Sequence, residues 1–214
     1  MYTISLQQTL PVVFAGRDSI ESDVWHQDIE FSKGQNYLIE AASGTGKSSL
    51  CSFIYGYRVD YQGIICFDHV NVKKLSVKKW VDIRKHAISM LFQDLRLFAE
   101  LTAYENVQLK NTLTGFKSKK EIIAAFERLG IDDKLHSKVG RMSFGQQQRV
   151  ALIRSFCQPF DFIFLDEPVS HLDEMNGRLM TDLVREEATR QEAGIIVTSI
   201  GKHLSLEYDK IVRL

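Results

Sequence analysis

Proline is scarce in this chain, three in 214 residues, at Pro11, Pro159 and Pro168. So few leave no room for a proline-rich linker, and no low-complexity tract or internal repeat takes its place. Cysteine also numbers three. Cys51, Cys66 and Cys157 are isolated and set among apolar residues, the pattern of reduced packing thiols rather than of disulfides or a metal cluster. An excess of charge is missing too: 27 basic residues balance 27 acidic ones, so no overall electrostatic footprint calls for nucleic acid. No apolar run approaches the ~20 residues that span a bilayer, and no basic region followed by a signal-peptide core opens the chain. The expectation is a cytoplasmic protein whose contact with a membrane, if any, comes through a partner.

What is present is an alternation of strand and helix signals, the pattern of a doubly wound α/β core. Gly63-Ile64-Ile65-Cys66-Phe67 suggests an early antiparallel portion. The texture changes between Gln93 and Ser143. Ser118 and Glu121 form a capping box, and Ile122, Phe126 and Leu129 recur at helical spacing until Gly130, which predicts a helical insert. That stripe reads as lobe core, with a groove for a partner helix as the alternative. Lys117, Lys119 and Lys120 read as a solvated helix face.

Three stretches carry chemistry. Ala41 to Ser48 (Ala-Ala-Ser-Gly-Thr-Gly-Lys-Ser) follows the apolar run Tyr37-Leu38-Ile39 and precedes another, so it reads as strand, loop, helix. Gly44 and Gly46 let the backbone curl so that successive N–H groups meet phosphate oxygens. Lys47 reaches the outer phosphates, and the Ser48 hydroxyl can ligate Mg²⁺. Phe160 to Leu165 is almost continuously apolar, as a strand buried on both faces would be, and ends in Asp166, Glu167 and Pro168. An Asp at such a strand end supports Mg²⁺, and an adjacent Glu can take a proton from water. Standing alone, these acids would be no more than turn residues. The third stretch, Arg141 to Arg149, holds a second capping box, Ser143 with Gln146, whose outward N–H groups can hold a phosphate.

In this order the segments resemble the nucleotide-binding subunit of an ATP-binding cassette (ABC) transporter. Ala41 to Ser48 resembles the Walker A loop, Gln93 the Q-loop, and Met142 to Gln146 the signature. Asp166 and Glu167 resemble the Walker B pair, and Ser170-His171-Leu172-Asp173 the D-loop. Leu97 to Val107 looks like the family's stretch after the Q-loop, which leads to the transmembrane partner. The chain is most similar to compact ATPases of the lipoprotein-release, macrolide-efflux and cell-division type.

The resemblance implies a P-loop fold with a mainly parallel sheet, an N-terminal antiparallel portion and a helical subdomain. It implies one domain over 1–214, with 1–92 and 157–214 as nucleotide-binding core and 93–156 as helical and signature part. ATP and Mg²⁺ are the implied ligands. The residues expected to hold nucleotide are Ala42, Ser43, Gly44, Thr45, Gly46, Lys47, Ser48 and Ser49. Ser143, Phe144, Gly145, Gln146 and Asp173 would serve a site on a second subunit. Ser48, Gln93 and Asp166 would surround the metal, with Glu167 as base. The implied partners are an integral membrane permease and a second ATPase subunit, identical or not, placing the protein on the inner face of the cell membrane. A DNA-repair ATPase shares the head domain but carries a long coiled coil between Q-loop and signature. Here only about fifty residues separate Gln93 from Ser143, with no sustained heptads.

Several positions depart from the family pattern. Ala41 stands for the loop's opening glycine and Phe144 for the first signature glycine, whose ring must turn away from any phosphate. Ser199 stands where the family has a switch histidine. A hydroxyl neither titrates near neutral pH nor spans the distance an imidazole does, so slow or partner-dependent hydrolysis is expected, an ATP-dependent regulatory clamp being the other reading. His203 reads as a surface residue that a local rearrangement could bring into that role. Phe14 is the candidate for stacking on adenine, with Tyr2 and Trp25 in competition.

Overall fold

The computed structural model describes residues 1–16 and 20–214. The first elements are β1 (Thr3–Pro11), β2 (Asp28–Ser32), β3 (Asn36–Glu40), α1 (Lys47–Ile54), β4 (Tyr61–Phe67), β5 (Val70–Asn71), α2 (Val77–His86) and β6 (Ile88–Leu91). Three helices follow: α3 (Ala103–Asn111), α4 (Lys119–Arg128) and α5 (Phe144–Ser155). The chain then runs through β7 (Phe162–Asp166), α6 (Glu174–Gln191), β8 (Gly194–Ser199) and β9 (Lys210–Arg213). Two sheets form, an antiparallel one ordered β2-β1-β4-β5 and a parallel one ordered β6-β7-β8-β3-β9. The early antiparallel portion is there, since β4 pairs antiparallel with β1.

Strand alternation explains how the parallel sheet holds two cores. On β7, Phe162 and Phe164 join a core shared with Ile4 and Leu6 of β1 and Leu50 and Phe53 of α1. Ile163 and Leu165 point the other way, into a core shared with Val107, Phe126, Leu152 and Val184 of the four later helices. All five β7 residues are buried, so the continuous apolar run follows from a strand covered on both faces. Each fully buried Leu, Ile or Phe contributes about 1.5–3 kcal/mol relative to exposure.

The insert between β6 and β7 is helical, in pieces of 9, 10 and 12 residues. Both predicted capping boxes form, Ser118 with Glu121 on α4 and Ser143 with Gln146 on α5. A third, Thr102 with Glu105, opens α3. Ile122, Phe126 and Leu129 are buried and form the lobe core. Lys117 corrects the sequence expectation: it is buried, with its ammonium 2.5 Å from Glu187 Oε1 on α6, while Lys119 and Lys120 are exposed. Its partner lies seventy residues away in sequence, beyond any local pattern. The cysteines are free and buried, and burial pushes the Cys157 thiol up to about 12.

Parallel strands all emerge at one edge of their sheet. The loops after β3, β7 and β8 therefore share that edge, where open α/β sheets bind ligands.

Candidate functional site

The loop from 41 to 46 joins β3 to α1 in the expected strand, loop, helix order. Gly46 occupies the N-cap of α1 with φ +100, and no side chain caps the helix. The first-turn N–H groups of α1 thus face outward with the positive end of the helix dipole. A Cβ on Gly46 would stand 2.9 Å from the Phe14 ring and 3.0 Å from that of Trp25. Gly46→Ala is therefore expected to cost about 1–3 kcal/mol of stability through backbone strain, read by thermal unfolding. Ala41 meets no such conflict. Its φ is not positive, and its N–H donates to the Ser199 carbonyl at 2.9 Å, so a methyl group is accommodated there.

Lys47, the first residue of α1, gathers the acids at the end of β7. Its ammonium lies 2.7 Å from Asp166 Oδ1, 2.5 Å from Glu167 Oε1 and 3.3 Å from the Gln93 side-chain carbonyl. Burial pulls the Lys47 ammonium down, but its hydrogen bonds and ion pairs with the two carboxylates outweigh that and hold it above the ordinary 10.5. The share of stability linked to the Lys47 proton is therefore present below the ordinary value and is lost as pH rises through the raised one. Thr198 of β8 donates to Asp166 Oδ1 at 2.5 Å, and the Gln93 amide donates to Glu167 Oε1 at 3.1 Å.

Glu167 itself has φ +50, a left-handed backbone for a residue with a side chain. Such strain persists only where neighbours over-determine it. Here Glu167 N–H donates to the Thr198 carbonyl, and the Glu167 carbonyl accepts from Gln148 Nε2 at 3.0 Å. Gln148 is 2% exposed and sits on α5, two residues beyond the signature. It ties that helix to the acid, a link the sequence did not signal.

All the expected loop residues except Thr45 line one cleft of about 360 Å³, together with Phe14, Gln93 and Glu167. Thr45 supports the loop from behind: its carbonyl accepts from Trp25 Nε1 at 2.8 Å and its hydroxyl donates to the Ala42 carbonyl. Of the three competing aromatics only Phe14 borders the cleft, and it is 6% exposed; Trp25 is buried behind the loop. Val13 and Ile200, exposed apolar residues at the cleft mouth, had no sequence signal to mark them. Ser48, Gln93 and Asp166 also meet in an adjoining hollow of about 290 Å³.

Ser199 does not line the cleft. It is 2% exposed, and its hydroxyl donates to the Lys202 carbonyl while accepting from the Gly201 N–H, so a tight turn consumes it. His203 is a surface residue whose ring packs on Tyr208.

The signature residues form a separate patch. Ser143, Phe144, Gly145, Gln146 and Asp173 are absent from the cleft lining among the described residues. Ser143 Oγ accepts from Gln146 N–H, while the Gln146 side chain accepts from Ser143 N–H. The Phe144 ring turns aside, as expected, and packs edge-on against His171 at 4.5 Å between centroids. Asp173 caps α6; hydrogen bonds from the Asn176 backbone and side chain hold its carboxyl below the usual range.

A parallel sheet whose strand ends carry a glycine-rich phosphate loop, a buried lysine and an Asp–Glu pair is that of a P-loop nucleotidase. The ABC transporter family model matches residues 26–170, and the chain belongs to that family, as an ATP-binding, ATP-hydrolysing transporter subunit. It is 33% identical over 191 residues to YclH of Bacillus subtilis (strain 168), an uncharacterized ABC transporter ATP-binding protein, across 87% of this chain and 83% of that one. It is 27% identical over 190 residues to LolD of Legionella pneumophila (strain Lens), the ATP-binding protein of a lipoprotein-releasing system, across 87% and 84%. The dimeric structure of MJ0796, a bacterial ABC transporter cassette, is similar with a TM-score of 0.76 at 25% identity, covering 91% of this chain and 87% of that one.

Proposed function

We propose that two copies of this chain, or one copy and a related subunit, close head to tail around ATP and so drive a membrane permease from the inner face of the cell membrane. The observation that carries this reading is the separation of the two half-sites. Lys47, Gln93 and Glu167 share a cleft, while the capped turn at Ser143 faces outward elsewhere on the same chain. A nucleotide held by one chain's cleft is then covered by the other's signature turn, whose N–H groups complement the γ-phosphate.

In this reading Ala42 to Ser49 cradle the phosphates, Phe14 borders the adenine, and Lys47 leaves the two acids for the outer phosphates. Glu167 accepts a proton from water as the water oxygen bonds to the γ-phosphorus; the bond to the β–γ bridging oxygen breaks, and ADP leaves with the electron pair. Asp173 carries contacts across the dimer. Among the described residues no group of three or more His, Cys, Asp or Glu could hold a metal by itself. The Ser48 hydroxyl, Asp166 carboxylate and Gln93 carbonyl make an all-oxygen set that suits Mg²⁺ shared with phosphates. Bound there, Mg²⁺ would neutralise charge on the β- and γ-oxygens.

The permease would dock beside the Q-loop. Phe98, Leu109 and Leu113 are exposed apolar residues around a hollow of about 250 Å³ between 92–98 and α3, and no helix among the described residues is long and apolar enough to cross a membrane. The helical part would span 93–156 and move against the core formed by 1–92 and 157–214. One observation favours an engine slower than the family pattern: the chain brings no imidazole to its own cleft after β8, Ser199 being spent on a turn.

ATPase activity per chain should rise with chain concentration, roughly doubling for each doubling in the dilute regime where dimers are rare. Activity per chain that stays constant on dilution would overturn the two-chain site.

A further inference from the structure

We propose that His171 supplies, to the nucleotide held by a second copy of this chain, the imidazole that Ser199 cannot supply in its own cleft. The inference rests on the two-chain reading above and adds a residue to it. Two side chains on this patch touch each other: Phe144, in place of a signature glycine, and His171, the second residue of the stretch that resembles the D-loop, whose rings pack at 4.5 Å. Both are exposed, Phe144 at 42%. A large aromatic at the mouth of a phosphate-binding turn costs access unless it serves a purpose, and here it forms a platform that orients a histidine.

The orientation is further fixed from the other side. The Ser170 hydroxyl lies 2.8 Å from His171 Nδ1 and 3.3 Å from the Glu167 carbonyl. In either tautomer this contact occupies Nδ1 and leaves Nε2 without a partner among the described residues, so Nε2 is the nitrogen left for a ligand. Behind Phe144, the Gly145 backbone packs closely on the same loop: a Cβ there would stand 3.0 Å from Leu172 Cδ2 and 3.5 Å from the His171 carbonyl. The signature turn and His171 thus form one surface. Lys202 joins this surface to the turn that consumes Ser199, accepting from the Ser199 hydroxyl through its carbonyl and donating to the Leu172 carbonyl through its ammonium at 2.8 Å. The loop without an imidazole and the loop with one are held together, and the latter lies on the patch that covers the partner's phosphates.

His171 forms no covalent bond in this scheme. Its Nε2–H donates to a γ-phosphate oxygen and keeps its proton, while Glu167 of the chain holding the nucleotide accepts the proton from water.

His171→Ala and His171→Gln should each lower kcat for ATP at least tenfold, with KM changed less than threefold, because the lost contact belongs to the transition state. Mixing His171→Ala with Glu167→Gln chains then tests the route. In the mixed dimer one nucleotide meets an intact Glu167 and an intact His171 from opposite chains, so activity should rise at least fivefold above the sum of the two variants alone. A kcat within twofold of the parent in both His171 variants would overturn the assignment. No gain on mixing would overturn its action between chains. If Glu167→Gln alone formed no dimer with ATP, the two-chain reading would fall, and the action of His171 across chains with it.

Discussion

Lys47→Ala is expected to raise the Kd for ATP roughly 100-fold, because about 3 kcal/mol of charge-assisted hydrogen bonding to the outer phosphates is lost. The same change strikes the fold. Asp166 and Glu167 are 6% and 11% exposed, and among the described residues Lys47 is the only cation that forms an ion pair with either. Removing it leaves two neighbouring buried carboxylates without a counter-charge, a loss of about 3 kcal/mol in unfolding free energy. The two consequences are separable: calorimetric titration reads the first, and denaturant unfolding without nucleotide reads the second. Full ATP affinity in the variant would sink the assignment of the loop. Unchanged stability would mean that the acids find other partners.

Glu167→Gln has the opposite character, since it keeps shape while removing the basicity and the charge that pairs with Lys47. Gln93 can still donate to the side-chain oxygen, and the left-handed backbone at φ +50 remains held by Gln148 and Thr198. Turnover should fall by about 10²–10⁴, the usual worth of a positioned general base. Nucleotide binding should survive, and ATP should then accumulate a stable dimer visible by light scattering during size-exclusion chromatography. A variant that stays monomeric at saturating ATP would count against the sandwich, and one that still hydrolyses at the parent rate would remove Glu167 from the chemistry.

Much of this was legible in the chain because the informative groups are close in sequence or repeat with a period. The phosphate loop shows as glycines and a lysine between two apolar runs, and the insert shows through its capping boxes and its stripe of Ile122, Phe126 and Leu129. Each of these signals spans fewer than about twenty residues, within the reach of helical and strand periodicities. What lay beyond that reach was misread or missed. Lys117 looked solvated because Glu187 is distant in the chain. Val13 and Ile200 carry no signal of their own, since an exposed apolar residue is ordinary until a cleft forms beside it. Gln148 has no signal of its own in the sequence, and only packing of α5 against the end of β7 makes it a brace for Glu167.

The sequence by itself therefore determined the family, the order of strand and helix, and which residue types hold phosphate, because local backbone chemistry and periodicity encode those. The tertiary structure alone decided how the pieces meet. It closed Lys47 on its two acids, spent Ser199 on a turn, and set Phe144 against His171 on a patch apart from the cleft. The physical reason is that the contacts of Lys47 and of Phe144 join residues up to 120 positions apart, which no local preference specifies, whereas the Ser199 turn is local and matters only because the packed sheet sets it beside the cleft.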